Sequence, residues 1–303
     1  MSTIELTGLR ADLPIGAMAA FGTLRVCQRL PGLAGTRLAW RDGYAVLHIA
    51  TEMSGDRLAE MLVADVRSSG ERPELTWSDQ IKTVAPEKFR QQACEVMELR
   101  PEAVEWFAAF ASDQVERDEK IIATPFDMSV ARQRFLADAL KLADGFASGR
   151  GAQTAIEDYK EALFGPWKYK DDQHSLGWDP STMKLGAFTY KAPTALANAG
   201  VRAAVWLAFE SLPLFPCFCV SGRLGVRAFE SDGRGYAFRW PTWNGAISLD
   251  TLRSLLGWTG LTGEPSAEKL AARGITAIYR SERFKPNKYL SSFRAAELVW
   301  AAA

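Results

Sequence analysis

The chain has few of the residues on which most recognisable chemistry depends. Among its 303 residues there are only two histidines, His48 and His174, and four cysteines, Cys27, Cys94, Cys217 and Cys219. No CxxC spacing occurs, and Cys217 and Cys219 are separated by one residue on an expected strand, so neither a zinc site nor a disulfide framework is expected. The cysteines read as reduced, mostly buried thiols of a cytoplasmic protein. There is no Gly-x-Ser-x-Gly, so the nucleophile elbow is missing. Gly-x-x-x-x-Gly-Lys-Ser/Thr and Gly-x-Gly-x-x-Gly are also missing, so nothing points to a nucleotide cofactor, and neither a cofactor nor a metal is expected. No charge excess exists, because 36 Lys and Arg balance 36 Asp and Glu. Nucleic-acid binding, if present, has to come from a local patch. Long apolar runs are absent too: the most apolar segment, 201–220, contains Arg202, Glu210, Pro213 and Pro216, so no membrane span is expected. The N-terminal residues carry Glu5 and no basic region leading into an apolar run, which argues against a secretory signal.

Aromatic residues, by contrast, are plentiful, with ten tryptophans. They concentrate in Phe164-Gly-Pro-Trp-Lys-Tyr-Lys-Asp-Asp-Gln-His-Ser-Leu-Gly-Trp-Asp-Pro180. Gly165, Pro166, Gly177 and Pro180 forbid a continuous helix there. Each large ring must be buried or must bind something.

Taken in order, residues 3–6 and the pair 36–40 and 44–50 read as strands, with Arg41-Asp-Gly43 as a hairpin signal. Pro14 opens a helix over 15–30, whose Gly16, Ala17, Ala19, Ala20 and Gly22 allow another backbone to come close. A second, amphipathic helix covers 56–66. Helices are expected over 86–99, 101–111, 129–146 and 154–163, with Asp113–Lys120 as a charged, solvated stretch. Beyond the aromatic segment come a strand over 183–190, a helix over 195–212, strands over 216–221, 224–229 and 236–240, helices from Asp250 to Trp258 and from Ser266 to Gly274, and a strand over 275–280. The fold class read from this order is α+β, with mixed or antiparallel sheet lobes and a largely helical insertion. The expected division is an N-terminal α+β lobe (1–83), a helical insertion (84–164) and a C-terminal α+β lobe (165–303).

Two basic patches interleaved with aromatics point to a phosphate backbone with stacked or unpaired bases. The central one has Lys168, Lys170, Lys184 and Lys191 among Trp167, Tyr169, Trp178, Phe188 and Tyr190. Near the C-terminus, Arg280, Arg283, Lys285, Lys288 and Arg294 stand among Tyr279, Phe284, Tyr289 and Phe293, opposed only by Glu282. The expected nucleic-acid contacts are Lys168, Lys170, Lys184, Arg280, Arg283, Lys285, Lys288 and Arg294. Trp167, Tyr169, Phe284 and Tyr289 are the expected stacking groups. Two other readings stay open: a hydrolase using His174 with Ser175, Asp179 and nearby carboxylates, and a protein-interaction or oligomerisation module with the tryptophans as interface anchors.

Three segments together carry a family resemblance: Leu6-Thr-Gly-Leu-Arg-Ala-Asp-Leu-Pro-Ile-Gly-Ala-Met-Ala-Ala-Phe-Gly-Thr-Leu-Arg25, His174-Ser-Leu-Gly-Trp-Asp-Pro180 and Arg202-Ala-Ala-Val-Trp-Leu-Ala-Phe-Glu-Ser-Leu-Pro-Leu-Phe-Pro216. In this order they resemble the subtype-specific proteins of type I-G (formerly I-U) CRISPR loci, including large-subunit-like and helicase-extension-like members. The resemblance implies a non-enzymatic subunit or accessory of an RNA-guided interference complex. Its partners are then effector subunits, guide RNA or target DNA, and the recruited helicase–nuclease. In such complexes base pairing reads sequence, while protein contacts secure backbone and shape. No catalytic residue maps onto this chain from the resemblance, and its balanced charge favours a protein-docking role or contact with only a few phosphates.

Overall fold

The small residues near the N-terminus set the centre of the molecule. In the computed structural model, which describes residues 2–147, 151–172, 175–182, 199–231 and 235–302, helix α1 (Pro14–Arg29) is buried from Pro14 through Leu24. It packs along α8 (Arg202–Glu210), a helix with all nine residues buried. A methyl group built on Gly22 would lie 1.7 Å from the carbonyl oxygen of Leu207. Only glycine lets the two backbones approach this closely.

One face of α1 is covered by a three-stranded antiparallel sheet. Its strands are β1 (Ser2–Arg10), β2 (Arg37–Arg41) and β3 (Tyr44–Ile49), in the order β1-β3-β2. Asp42 and Gly43 join β2 to β3 with φ values of 50° and 80°, the left-handed pair that a two-residue hairpin needs. Helix α2 (Gly55–Arg67), capped by Ser54 Oγ accepting from the Arg57 N–H, lies against α7 (Ala152–Phe164), which also packs on β1.

Between α2 and α7 the chain forms the short α3 (Pro73–Thr76), then α4 (Pro86–Leu99) and α5 (Val104–Phe110). A hairpin of β4 (Ala111–Arg117) and β5 (Lys120–Ala123) follows, and then α6 (Phe135–Ala147). The charged stretch over 113–120 is largely exposed, as expected, and is built as a strand pair. Asp118 and Glu119 make its turn at φ 55° and 60°. The third helix of this region begins at Phe135, not at residue 129, because 126–130 form a buried loop.

Beyond α8 come the ribbon β6 (Cys217–Val220) and β7 (Arg223–Val226), and then β8 (Phe229–Ser231), β9 (Tyr236–Trp243), α9 (Leu249–Gly257) and α10 (Ala267–Ala271). The long β10 (Ile275–Asn287) pairs with β9, β11 (Leu290–Phe293) and β12 (Glu297–Ala301) in an antiparallel sheet. The expected strand at 183–190 and the first residues of the helix expected from 195 lie outside the described residues; α8 itself starts at Arg202.

The buried apolar residues form one cluster drawing on 1–83, 84–164 and 165–303 alike. Trp240 Nε1 donates to the Ala11 carbonyl at 2.7 Å, and Trp243 Nε1 to that of Leu38 at 3.2 Å. These bonds tie the C-terminal sheet to the N-terminal one. The fold is α+β. No helix among the described residues is long and apolar enough to cross a membrane.

One buried charge anchors the helices. Glu210, at the end of α8, is fully buried. It accepts from Arg25 at 3.1 Å, from Arg29 at 2.9 Å and from Arg72. Burial alone would raise its carboxyl, but Arg29, Arg72 and Arg25 together hold it well below the usual carboxylate range. Arg25 and Arg72 lie over Trp106, at 5.2 and 5.5 Å from the ring centre.

Candidate nucleic-acid interface

The C-terminal patch occupies the outer half of β10 and the whole of β11. Up to Glu282, β10 is paired with β9; beyond it, Arg283 pairs with Phe293, Phe284 with Ser292 and Asn287 with Leu290. The hairpin therefore projects past the end of β9. Alternation along a strand puts Ser281, Arg283 and Lys285 on one face and Arg280, Glu282 and Phe284 on the other.

The two faces treat their cations differently. Arg280 meets Glu230 and Glu282 at 2.9 Å each and Glu297 at 3.5 Å. Its guanidinium is occupied by protein acids. Arg294 lies 4.3 Å over the ring of Phe284 and 3.7 Å from Glu282. Phe284 is thus already stacked and half-buried. Lys285, Lys288 and Tyr289 stand exposed at the hairpin tip, Tyr289 at 64%. Lys288 Nζ sits 5.1 Å above the Tyr289 ring. From 283 to 296 the chain has no acidic residue.

Arg283 points back into the molecule. Its Nη2 donates to the Asp127 carbonyl at 2.9 Å, and its Nε to Ser291 Oγ at 3.4 Å. Burial pulls its guanidinium below the ordinary value, against the pull of Asp127. Next to it stands Lys82, a residue that the sequence did not single out. Its Nζ donates to the Ser129 carbonyl at 2.5 Å and to Ser129 Oγ at 2.7 Å, and lies 4.0 Å from Asp127. A lysine and a serine this close suggest a nucleophile with its base. The hydrogen bonds run the other way: Ser129 Oγ donates to Asp127 Oδ1 at 2.5 Å and accepts from Lys82. A serine activated by lysine must donate to a neutral amine, so this trio acts as a clamp on the loop.

The central patch divides between core and surface. Trp178 is fully buried among Phe126, Phe135 and Phe209, and its Nε1 donates to the Phe126 carbonyl at 2.9 Å. Gly177, at φ 80°, lies so close to β11 that a methyl group on it would meet the Ser291 carbonyl at 2.7 Å. Its own carbonyl accepts from the Phe293 N–H at 2.8 Å. The aromatic turn therefore supports the hairpin from beneath. Trp167 is half-buried with Nε1 bonded to the Ala162 carbonyl at 3.0 Å, and Tyr169 meets it edge-on at 6.1 Å. Lys168 and Lys170 line a cleft of about 400 Å³ shared with Glu157, Asp158, Glu161 and Asp171. There the acids cancel much of the positive charge. Lys184, Lys191, Phe188 and Tyr190 lie outside the described residues.

The residues of the hydrolase reading fall differently. His174 is outside the described residues. Asp179 is buried and accepts from the Ser181 N–H at 2.9 Å, and burial pushes its carboxyl upward. Ser175 Oγ is within 2.8 Å of Thr182 Oγ1. Among the described residues no group of three or more His, Cys, Asp or Glu is placed to hold a metal ion. None of the ten tryptophans is exposed, so the large exposed apolar side chains are others, among them Phe218 and Val220 on β6 and Leu298 and Val299 on β12. A scan against protein-family models and a search of curated proteins each give no match for this chain.

Proposed function

We propose that this chain is a non-catalytic, nucleic-acid-associated subunit or accessory of an RNA-guided CRISPR interference complex. The observation that carries the reading is the tip of the β10–β11 hairpin: Lys285, Lys288 and Tyr289 are exposed together, on a stretch without acids. Cations flanking an exposed ring suit a phosphate backbone with an unpaired base. The resemblance of residues 6–25, 174–180 and 202–216 to type I-G CRISPR proteins supplies the biological setting. The balanced overall charge fits a protein that grips few phosphates and otherwise docks to partner subunits in the cytoplasm.

The test is binding of labelled single-stranded RNA, single-stranded DNA and duplex DNA across a salt series. The reading expects measurable affinity at low salt, falling as salt rises with a slope that counts a small number of phosphates. No binding to any of the three at low salt overturns it.

A further inference from the structure

We propose that Lys82, Arg283 and Lys285 form a phosphate-binding notch along the flank of the β10–β11 hairpin, into which a backbone phosphate of the bound nucleic acid fits. The inference rests on the nucleic-acid reading above and names a contact that the hairpin sequence does not contain.

The first argument is convergence. Lys82 comes from the turn before α4, and Arg283 and Lys285 come from one face of β10, some 200 positions later. Burial pulls the Lys82 ammonium below its ordinary value; Asp127 opposes this, while Lys285 and Arg283 push the same way as burial. Lys82 Nζ lies 4.0 Å from Asp127 Oδ1 and Arg283 donates to the Asp127 carbonyl at 2.9 Å, so these two cations meet at one residue, and Lys285 shares the Arg283 face of β10. Like charges gathered this way repel one another, and a bound anion removes the repulsion.

The second argument is the state of the donors. Lys82 spends two of its three N–H groups on Ser129, which fixes the direction of the ammonium, and the third has no hydrogen-bond acceptor among the described residues beyond the distant Asp127 carboxylate at 4.0 Å. Arg283 is held through Nη2 and Nε, with no bond from Nη1 among the described residues. Lys285 is exposed and has no partner among the described residues. Asp127 Oδ1 is taken by the N–H and hydroxyl of Ser129. The buried Ser129–Asp127 loop therefore acts as the rigid wall that aims Lys82. Lys288 and Tyr289 continue the same surface outward.

The experiment compares the full chain with Lys82→Gln and Lys285→Gln by anisotropy of a labelled single strand across a salt series. A parallel arm measures thermal stabilisation by inorganic pyrophosphate. Each substitution is expected to lower affinity about fivefold at 0.15 M salt and to reduce the salt slope by about 0.7–0.9, the effect of one phosphate contact. Lys285 makes no structural bond, so its variant folds even if Lys82→Gln does not, and Lys82→Arg is expected to restore binding. Wild-type binding with affinity and slope unchanged in both Gln variants overturns the notch. If the wild type binds no nucleic acid, the proposed function fails and the pyrophosphate arm decides the notch. Stabilisation lost in Lys82→Gln keeps it as a site for free phosphates; absence of stabilisation in the wild type overturns it.

Discussion

Replacing Glu210 with Gln removes the one anion that holds three guanidiniums together while leaving the shape of α8 intact. Arg25 and Arg72 have side chains only 12% and 11% exposed, and Arg29 is 33% exposed. Arg29 can turn toward water and keeps Asp65 at 2.6 Å. Arg25 retains Glu105 at 3.3 Å, a weak substitute. Among the described residues Arg72 keeps the Ser69 hydroxyl and the faces of Trp106 and Trp206. Leaving buried charge unpaired in this way costs about 3–5 kcal/mol. The measurement is urea unfolding of wild type and variant in a pH series. At pH 7 the variant is expected to be less stable by that amount. The folded wild-type carboxyl lies below its unfolded value, so its contribution is complete above the unfolded pKa of about 4.3 and declines as pH falls toward the folded one. The stability difference therefore starts to shrink below about pH 4 and closes only as the pH approaches the depressed folded value. A difference under 1 kcal/mol at pH 7, or one that grows on acidification, refutes the claim that Glu210 organises the arginines.

Other consequences are simpler to test. Trp178→Ala empties a site walled by three phenylalanines and deletes the bond to the Phe126 carbonyl, so it is expected to cost roughly 3–5 kcal/mol; a near-neutral melting shift contradicts its place in the core. Contrary to expectation, the cysteines are not mostly buried: Cys27 is buried, Cys217 is half-buried with its Sγ 3.5 Å from the Ala109 carbonyl, and Cys94 and Cys219 are exposed on a helix and a ribbon that leave one side open to water. Desolvation pushes the Cys27 and Cys217 thiols up to about 12. A thiol reagent at pH 8 is therefore expected to modify two cysteines in the native protein and four after denaturation; rapid labelling of all four under native conditions contradicts the packing around α1 and β6.

Local patterns wrote much of this fold openly into the sequence. The two-residue turn at Asp42-Gly43 and the small face of α1 are expected features that the structure bears out, because each depends on neighbours within a few positions. The β4–β5 hairpin was hidden. Its turn residues, Asp118 and Glu119, adopt left-handed backbone without a glycine, and its strands are charged on their outer face. The second half of β10 was hidden too: the expected strand stopped at 280, and Pro286 with a run of cations disguises a paired strand. Charge was the least legible property. Arg280 lies within a basic run in sequence, yet Glu230 and Glu297, 50 positions before it and 17 after, occupy it. Lys82 carries no local signal at all, because its neighbours Asp127, Arg283 and Lys285 arrive only when β10 folds back over the 126–129 loop.

The claim at the centre of this account is that the hairpin tip contacts nucleic acid. The most direct measurement is the affinity of a Lys288→Gln, Tyr289→Ala variant for single-stranded RNA and DNA over the same salt series as wild type. Both side chains are exposed, so the fold is expected to be unaffected, with an unchanged melting temperature. Affinity is expected to fall by more than tenfold, from the loss of one phosphate contact and of a stacking ring contributing about 1–3 kcal/mol. Wild-type affinity in the folded variant would contradict the account and move the search for a working surface away from the hairpin.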